Sequence, residues 1–594
     1  MKYTLLSFLI FCSFFHVNAQ DGFDWSWVTN SVAPDGICTQ NDDYVDANGN
    51  TYVIGTFQSS LITVGDISAT QRFRKKQVFN ICAGGCPDEY TSDVFIAKID
   101  PNGEAVWVQT VEGWGVEYGL TITANDAGDV WCIIRTTGDT VWVDNEMLIL
   151  TQADDYSTEN VFLKLDPSGQ LDWMKGFEGD DNLTHDAYLF SFNDEVSMIA
   201  NFSDGNDGTV DVFGASVPSY FRYSTYVYAR FDGGTGAFKT IKGLGQDIGG
   251  GQFLNNNFQG ILHYDNQLFL SGSVNADGIK FDSLSLNFTT TEHVKQYVVV
   301  LDSTGLAQTL FEYIGSSNRK MLINDDYIVM ASSVLKYPDY ENLLAVDYLS
   351  HSGVVSKSYI IPNENGESVS FSLDAVALVE DSQLTVALSI YDQFVIDGET
   401  YTVPTSYHTH PSEEELVNQY PDPLVLLIDD SGEILLKHHF VGRDLTDVVV
   451  GMSMVDGYVR MTFSQQSPQI VYGDTEVENT NDFGYDLFHD HPYGVHRFQN
   501  LVFTKVKIDD PVSSVLPSFD GGKLTVYPNP ATLGDQLIIS EASSQFTVFN
   551  MEGAEVYTQS VTDLSPVDGR LKPGSYIVRV VTDSTVLSQK LIIY

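Results

Sequence analysis

Short runs of alternating apolar and polar residues, separated by turns rich in Gly, Pro and Asp, fill most of the chain. One recurring element is an apolar run that ends in Asp, then Gly a few residues later and a second run, as in Val94–Gly103 and Val161–Gly169. Period-two alternation between such turns is typical of β-strands. Asp can accept backbone N–H groups and Gly supplies a positive φ, so each copy predicts a strand–turn–strand hairpin.

Seven copies of this hairpin element occur, and a second element, a polar turn followed by an alternating strand as in Asn48–Gly55, alternates with them. The interval from one hairpin to the next has room for about four strands of ordinary length. Four-stranded units repeated radially form a β-propeller, so the sequence predicts an all-β fold with seven blades. The hairpin turns begin at Asp100, Asp166, Asp232, Asp302, Ser350, Asp429 and Asp509.

The intervals between these turns are uneven, since Asp302 and Ser350 are 48 residues apart and Asp429 and Asp509 are 80 apart. An open array or two sandwiches therefore stays as the alternative architecture. The ends of the region favour a closed ring. The early hairpins continue into a strand with a tryptophan, whereas the seventh stops without one, and an equivalent strand lies at residues 24–29. We predict that this N-terminal strand completes the seventh blade.

Both ends of the chain have the character of export signals. A basic start, a short apolar run from Leu5 to Phe15 and a small residue at Ala19 predict a signal peptide over residues 1–19. The propeller is then expected over residues 20–510 and a linker over residues 511–521. The segment 522–594 alternates like a small β-sandwich. No other stretch has the roughly 18 apolar residues that a membrane-spanning helix needs.

The C-terminal segment carries four short motifs in order, which end at the last residue. Together they resemble the type A C-terminal sorting domain of type IX secretion, a system of the Bacteroidota. The resemblance implies recognition by the type IX machinery, export across the outer membrane and a place at the cell surface or outside the cell. The residues that carry it are Tyr527, Pro528, Asn529 and Pro530, then Gly553, then Pro573, Gly574 and Tyr576, then the terminal run Lys590–Tyr594.

The repeats over about residues 40–180 are similar to the SBBP type of bacterial propeller repeat, which also implies seven blades. The resemblance fades further along, because all seven Trp residues lie at or before Trp173. In the later repeats Phe238 and Leu436 are expected near the Trp position.

The chain has 80 acidic and 30 basic residues, a formal charge of −50. A phosphate backbone would be repelled by this charge, so a nucleic-acid partner is excluded. Nearly all of the acidity lies on residues 20–510 and suits solubility and divalent cations. Asp46-Ala-Asn48-Gly-Asn50 resembles the start of a calcium loop, but a strand follows where the distal Glu is needed, so we interpret it as a blade turn.

Four cysteines remain after the signal, namely Cys38, Cys82, Cys86 and Cys132. An even number in an exported chain favours disulfides. Cys82 and Cys86 could close on each other through the glycines between them, which would leave Cys38 and Cys132. Three pairings are possible, and a lone buried thiol at Cys132 is a further alternative. A zinc site is disfavoured, because Cys38 and Cys132 do not form a second close pair.

Histidines concentrate in two insertions. One holds His408 and His410, the other His489, His491 and His496, and carboxylates stand close to both sets. Both insertions directly precede a hairpin strand, so equivalent blade positions place them on one face. His-x-His with carboxylates suits zinc or copper. Solvated loop histidines are the alternative, because His-x-His alone is a weak signal.

No Gly-x-Ser-x-Gly, His-Glu-x-x-His or phosphate-binding loop occurs. The sequence therefore favours a cell-surface propeller that binds, adheres or acts as a scaffold, with a glycan or a protein as its ligand. The alternative is an extracellular hydrolase or lyase that acts on polysaccharide or peptide, with metal in the histidine loops.

Overall fold

The computed structural model describes thirty segments of the chain, and every regular element in them is a β-strand. The chain forms two compact units, Met1–Asp509 and Asp510–Tyr594. The described residues are 23–33, 37–71, 92–150, 158–177, 183–192, 194–203, 209–218, 224–247, 256–289, 294–313, 319–336, 341–361, 371–379, 383–391, 393–396, 399–403, 406–409, 415–418, 421–440, 447–455, 457–465, 469–472, 475–478, 500–508, 526–527, 538–539, 546–550, 555–559, 574–581 and 586–593.

The first unit is a seven-bladed β-propeller, as predicted. Each blade is an antiparallel sheet of four strands, and most blades insert a two-stranded hairpin between the second strand and the third. The N-terminal strand and blades 1 to 3 comprise β1 (Phe23–Val32); β2 (Ile37–Val45), β3 (Thr51–Gln58), β4 (Leu61–Val64), β5 (Ile67–Thr70), β6 (Asp93–Ile99) and β7 (Ala105–Gly113); β8 (Glu117–Ala124), β9 (Val130–Thr136), β10 (Thr140–Val143), β11 (Glu146–Ile149), β12 (Glu159–Leu165) and β13 (Leu171–Gly176); β14 (Leu183–Phe192), β15 (Glu195–Ser203), β16 (Thr209–Val212), β17 (Ala215–Pro218), β18 (Ser224–Asp232) and β19 (Phe238–Leu244).

A two-residue strand, β20 (Gln246–Asp247), precedes blade 4. Blades 4 to 7 comprise β21 (Asn256–Tyr264), β22 (Gln267–Val274), β23 (Gly278–Phe281), β24 (Leu284–Asn287), β25 (Lys295–Asp302) and β26 (Ala307–Tyr313); β27 (Arg319–Ile323), β28 (Ile328–Lys336), β29 (Glu341–Leu349) and β30 (Val355–Ile361); β31 (Phe371–Leu378), β32 (Leu384–Ile390), β33 (Gln393–Ile396), β34 (Glu399–Thr402), β35 (Ser406–Thr409), β36 (Glu415–Asn418), β37 (Asp422–Ile428) and β38 (Ile434–His439); β39 (Asp447–Val455), β40 (Tyr458–Gln465), β41 (Gln469–Tyr472), β42 (Thr475–Glu478) and β43 (Asn500–Ile508).

The ring closes through the N-terminal strand. β1 runs antiparallel to β43, from Phe23 opposite Ile508 to Ser31 opposite Leu501. It is thus the fourth strand of blade 7, beside β39, β40 and β43. This pairing confirms the predicted closing strand, and it joins two parts of the chain that are almost 500 residues apart.

The uneven repeat intervals have a structural cause. In blade 5 the second strand β28 pairs directly with the third strand β29, and no inserted hairpin is described between them. Blade 6 inserts two hairpins, β33–β34 and β35–β36. The intervals therefore vary through what is inserted, while the four-stranded sheet itself is kept.

The core lies within and between the sheets, where strands buried on both faces pack against the next blade. At the six seams where the turn glycine is described, an aromatic side chain covers the positive-φ glycine of the next blade's hairpin turn, so closely that a Cβ on that glycine would lie within 2.8 Å of the ring. A bare glycine is needed here, both for its backbone conformation and for the close approach. The pairs are Trp27 with Gly103, Trp107 with Gly169, Trp173 with Gly236, Tyr228 with Gly305, Phe311 with Gly353 and Tyr359 with Gly432.

Of the two expected Trp equivalents, one takes the Trp register and the other lies two residues before it. Trp173 pairs with Lys164, two residues before the turn Asp, and Leu436 holds the same register opposite Leu427. In blade 3 that register belongs to Thr240, and Phe238 is 37% exposed.

The described residues of the second unit form six strands. Four of them form an antiparallel sheet in the order β47, β46, β48, β49. The other two, β44 and β45, precede this sheet in the chain and pair with each other. The strands are β44 (Val526–Tyr527), β45 (Ile538–Ile539), β46 (Phe546–Asn550), β47 (Glu555–Gln559), β48 (Gly574–Val581) and β49 (Val586–Ile593).

Candidate functional site

The first strands of the blades form the inner ring, and consecutive ones contact each other, as β2 does with β8 and β31 with β39. A β-bulge interrupts the first strand of blades 1, 2, 4, 6 and 7. A bulge adds one residue, bends its strand and redirects side chains. The inner ring is therefore the place where acidic side chains reach from one blade to the next.

Two neighbouring aspartates of blade 1 lie just after such a bulge. Asp42 accepts hydrogen bonds from Thr121 Oγ1 (2.8 Å) and the Ile122 N–H (3.0 Å) of blade 2. Asp43 accepts one from Gln40 Nε2 (2.6 Å) and faces the positive charge of Arg460 in blade 7. Burial raises the pKa of Asp42 to about 7 and that of Asp43 to about 6. These carboxyl groups link blade 1 to both of its neighbours.

A third inner carboxylate, Asp374, is the bulged residue of blade 6. It accepts hydrogen bonds from Ser372 Oγ (2.7 Å) and from Ser389 Oγ. Burial raises the pKa of Asp374 and lowers that of Lys320 on blade 5, and the opposite charges of the two groups partly offset both shifts. This aspartate, too, has its hydrogen bonds within the scaffold.

A pair of buried carboxyl groups lies at the seam of blades 1 and 2. Asp93 starts β6 and is 1% exposed, and Glu117 starts β8 and is 0% exposed. Gln71 Nε2 donates to Asp93, and Thr136 Oγ1 donates to Glu117 (2.7 Å). Burial and then their mutual contact raise the pKa of Glu117, and burial raises that of Asp93. Two carboxyl groups in contact favour one shared proton, because ionising both in an apolar surrounding is costly.

The sequence analysis did not identify this pair, although a signal exists. A polar residue stands at or next to the start of the third strand in several blades, namely Asp93, Gln296, Asp422 and Asn500, and all four are buried. A polar residue that recurs before an apolar run is visible in the sequence. Its partner on the next blade is not, since it lies on a different sheet.

Most of the predicted histidine site lies outside the described residues. His408 lies in β35 opposite Leu416, and its side chain is not described. His410, His489, His491 and His496 lie outside the described residues. The two insertions that carry them connect the second and third strands of blades 6 and 7. Within the described part of the chain, no three His, Cys, Asp or Glu side chains are grouped to hold a metal.

The pairing of Cys38 with Cys132, one of the three that the sequence allows, does not form, since both are free thiols. Cys38 is buried in the core between blades 7 and 1, with Sγ 3.3 Å from Ser31 Oγ, whereas Cys132 is buried in the core between blades 1 and 2. Burial raises the pKa of the Cys38 thiol to about 12 and also raises that of Cys132. Thiols with such pKa values are unreactive. Cys82 and Cys86 lie outside the described residues.

The sorting motifs are described in part. Tyr527 ends β44, and Gly574 and Tyr576 lie in β48, where Tyr576 pairs with Leu591 of the terminal strand. The proposed signal peptide and linker lie outside the described residues. The same is true of the motif residues Pro528, Asn529, Pro530, Gly553 and Pro573.

Comparison with known families identifies the C-terminal segment. Residues 525–594 match the family described as the secretion system C-terminal sorting domain. The domain marks the protein for export by type IX secretion to the cell surface or the extracellular space, and it implies contact with that machinery and an origin in the Bacteroidota. No curated protein matches the chain. Within the described residues we find no helix with the length and apolarity to cross a membrane.

Several solved structures match the chain at low similarity. An acylaminoacyl peptidase of Pyrococcus horikoshii has 6% identity and a TM-score of 0.36, covering 87% of this chain and 58% of its own. A quinohemoprotein alcohol dehydrogenase of Pseudomonas putida has 11% identity and a TM-score of 0.31, covering 85% and 79%. A neuraminidase-like protein of A/little yellow-shouldered bat/Guatemala has 8% identity and a TM-score of 0.30, covering 67% and 98%. Such values transfer no activity to this chain.

Proposed function

We propose that this exported propeller is a binding, adhesion or scaffold protein of the cell surface. One observation carries the proposal: the acidic side chains of the inner ring accept hydrogen bonds from the scaffold, as Asp42 does from blade 2 and Asp374 from Ser372. A catalytic carboxylate has to reach a substrate atom. Carboxylates that hold blades together are not free to do so, which favours binding over catalysis.

The proposal is tested with the purified full chain on an array of glycans and an array of peptides, alongside assays of turnover with the same polysaccharides and with casein. We expect retention of at least one ligand with no release of reducing ends or new peptides. Turnover that copurifies with the protein and disappears in the Asp374→Asn variant would contradict the proposal. That result would favour the extracellular hydrolase or lyase.

The histidine insertions support a second, separate proposal, a divalent metal held by His408, His410, His489 and His491, with His496 and nearby carboxylates as further ligands. Imidazole and carboxylate are the donors that zinc and copper prefer. The four-histidine variant is purified beside the wild type and analysed for metal. An unchanged metal content would refute the proposal, and it would leave the binding function untouched.

A further inference from the structure

The inserted hairpins of the blades are equivalent to one another and provide an internal comparison. In the hairpins of blades 1, 2, 3 and 4, and in the β33–β34 hairpin of blade 6, one face packs toward the core and the other points outward. In blade 2 the inward face holds Val141 and Val143, both 0% exposed. The second strands of the hairpins in blades 1, 2, 3, 4 and 6 share the same burial alternation, with exposed positions two residues apart.

The outward positions are polar in nearly all of these hairpins. The register from the turn identifies the two equivalent positions on each second strand. They are Ser68 and Thr70 in blade 1, Ser216 and Pro218 in blade 3, Ser285 and Asn287 in blade 4, and Thr400 and Thr402 in blade 6.

Blade 2 departs from this pattern. Its outward positions are Met147, which is 51% exposed, and Ile149, which is 65% exposed. Trp142 lies directly opposite Met147, where the other hairpins have Thr63, Asp211, Lys280, Val395 and Val471. Trp114, from the connection between blades 1 and 2, is 42% exposed and meets Trp142 edge to face, with ring centroids 6.0 Å apart. We call Trp114, Trp142, Met147 and Ile149 the aromatic face.

The fold does not require these apolar side chains. Five equivalent hairpins form with other residues at the same positions, and the blade 2 hairpin is already anchored by its inward valines. Leaving two tryptophans, a methionine and an isoleucine in water has a cost in solubility and in free energy. Tryptophan and methionine are also the residues that protein interfaces concentrate at their centres.

The two chain segments that carry the aromatic face are acidic. Asp139, Asp144 and Glu146 are exposed in them, and no Lys or Arg occurs in residues 108–118 or 136–150. A second copy of a chain with a charge of −50 would be repelled, and so would any acidic partner. The apolar centre and acidic rim are complementary to a partner with apolar side chains flanked by Lys or Arg.

We propose that the aromatic face is the docking surface for a protein partner that presents apolar side chains within a basic rim. The inference rests on the proposed binding function and assigns its partner and its site. Apolar contact with the two tryptophans supplies most of the affinity, and the acidic rim supplies orientation and a faster encounter.

The test gives the blade 2 hairpin the residues of blade 1, in the triple variant Trp142→Thr, Met147→Ser and Ile149→Thr. Because blade 1 folds with these residues, the variant should fold, which an unchanged melting temperature would verify. Val355→Thr with Ile360→Thr serves as the matched control, since these are exposed apolar residues of blade 5. A random peptide library displayed on phage is selected on the full wild-type chain.

We expect enriched peptides that combine Trp, Phe or Leu with Lys or Arg. Synthetic copies should bind the triple variant at least tenfold more weakly than the wild type or the control variant, and a version with Glu in place of Lys should also bind weakly. Equal binding to all three proteins would overturn the inference and leave the proposed function standing. If the wild type binds a neutral polysaccharide such as laminarin and the triple variant does not, the ligand of the aromatic face is a glycan and the inference is overturned. If no peptide and no glycan binds the wild type, the proposed function itself fails.

Discussion

The seams of the early blades differ from those of the later ones. Where blades 7, 1, 2 and 3 meet, a tryptophan covers the turn glycine and its indole N–H donates to a carbonyl of the same turn. Trp27 donates to Pro101 (3.0 Å), Trp107 to Pro167 (3.2 Å) and Trp173 to Gly234 (3.0 Å). Between blades 4 and 5 the covering residue is Phe311, which has no group to donate.

The same packing thus exists in two chemical versions. Every aromatic ring buries apolar area, but only an indole or a phenol also satisfies the turn carbonyl, as Tyr228 does with Ser303 (2.8 Å) between blades 3 and 4. A hydrogen bond of this kind contributes about 1 kcal/mol. The seam of blades 4 and 5 therefore depends on packing and on Arg319, whose Nε donates to Ser271 Oγ (2.6 Å) across it.

The largest effect is expected where a Cβ is added beneath the tryptophan. In Gly103→Ala the new atom would meet the Trp27 ring at 2.4 Å, at a φ of +85°. We expect a loss of roughly 3 kcal/mol or more in the free energy of unfolding. Gly214→Ala is the matched control, because its φ is +70° with nothing within 4 Å, and strain alone should cost about 1 kcal/mol. Equal losses in urea unfolding would show that the covering ring is unimportant.

Trp107→Phe converts an early seam into the later type. It removes the hydrogen bond to Pro167 and part of the buried area, so we expect a loss of about 1–3 kcal/mol. Trp114→Phe, which changes an exposed tryptophan, should shift stability by less than about 0.5 kcal/mol. Thermal unfolding of both variants gives the comparison, and a Trp107→Phe protein as stable as the wild type would refute the role of the indole N–H.

The seam of blades 1 and 2 should also respond to pH. Asp93 and Glu117 have raised pKa values in the fold, so the folded chain binds more protons than the unfolded chain. Stability then falls as pH rises from the ordinary carboxyl range, about 4, towards neutrality. Asp93→Asn should lessen this fall by about 1–2 kcal/mol between about pH 5 and pH 8.

The control for this pH effect is Asp166→Asn. The pKa of Asp166 is lowered by hydrogen bonds from Ser168 and by other nearby donors, so the group is ionised in both states throughout that range. Its replacement should leave the slope of the urea midpoint against pH unchanged. A wild-type stability that rises from pH 5 to pH 8 would show that the carboxyl pair does not hold the shared proton.

The smallest effect is a difference in native-state opening. Amides of β27, which faces the Phe311 seam in a blade where no inserted hairpin is described, should exchange with deuterium several-fold faster than those of β8. Hydrogen exchange read by mass spectrometry resolves the two strands. Faster exchange in β8 than in β27 would show that the Phe311 seam is the more stable of the two. Arg319→Met should widen the difference in exchange rate if the guanidinium group stabilises the Phe311 seam.

Much of the fold could be predicted from the sequence because its signals are local. The Asp–Gly turns and the alternating strands each occupy about ten residues, and counting them yields seven blades. The closing strand could be found because a tryptophan strand is missing at one end and present at the other. Phe311 and Tyr359 were missed since they stand two residues further along their strands than Trp107 and Trp173.

The candidate sites were harder to predict from the sequence than the fold. Counting cysteines favoured a bond that the separate cores of Cys38 and Cys132 do not form. The carboxyl pair was not predicted because Asp93 holds a recurring polar position but its partner Glu117 lies on a different sheet. The aromatic face needed the hairpin register, since Met147 is unusual only beside Ser68 and its other equivalents. The histidine site stays a prediction.

The sequence by itself determined the number of blades, the strand that closes the ring and the export domain at the C-terminus. The tertiary structure decided which side chains meet. Period-two alternation tells which face of a strand is buried, but it does not tell what covers that face. At the seams the partners are far apart in the chain, as Trp107 and Pro167 are, with 60 positions between them. Only the packing of one sheet on the next brings them together.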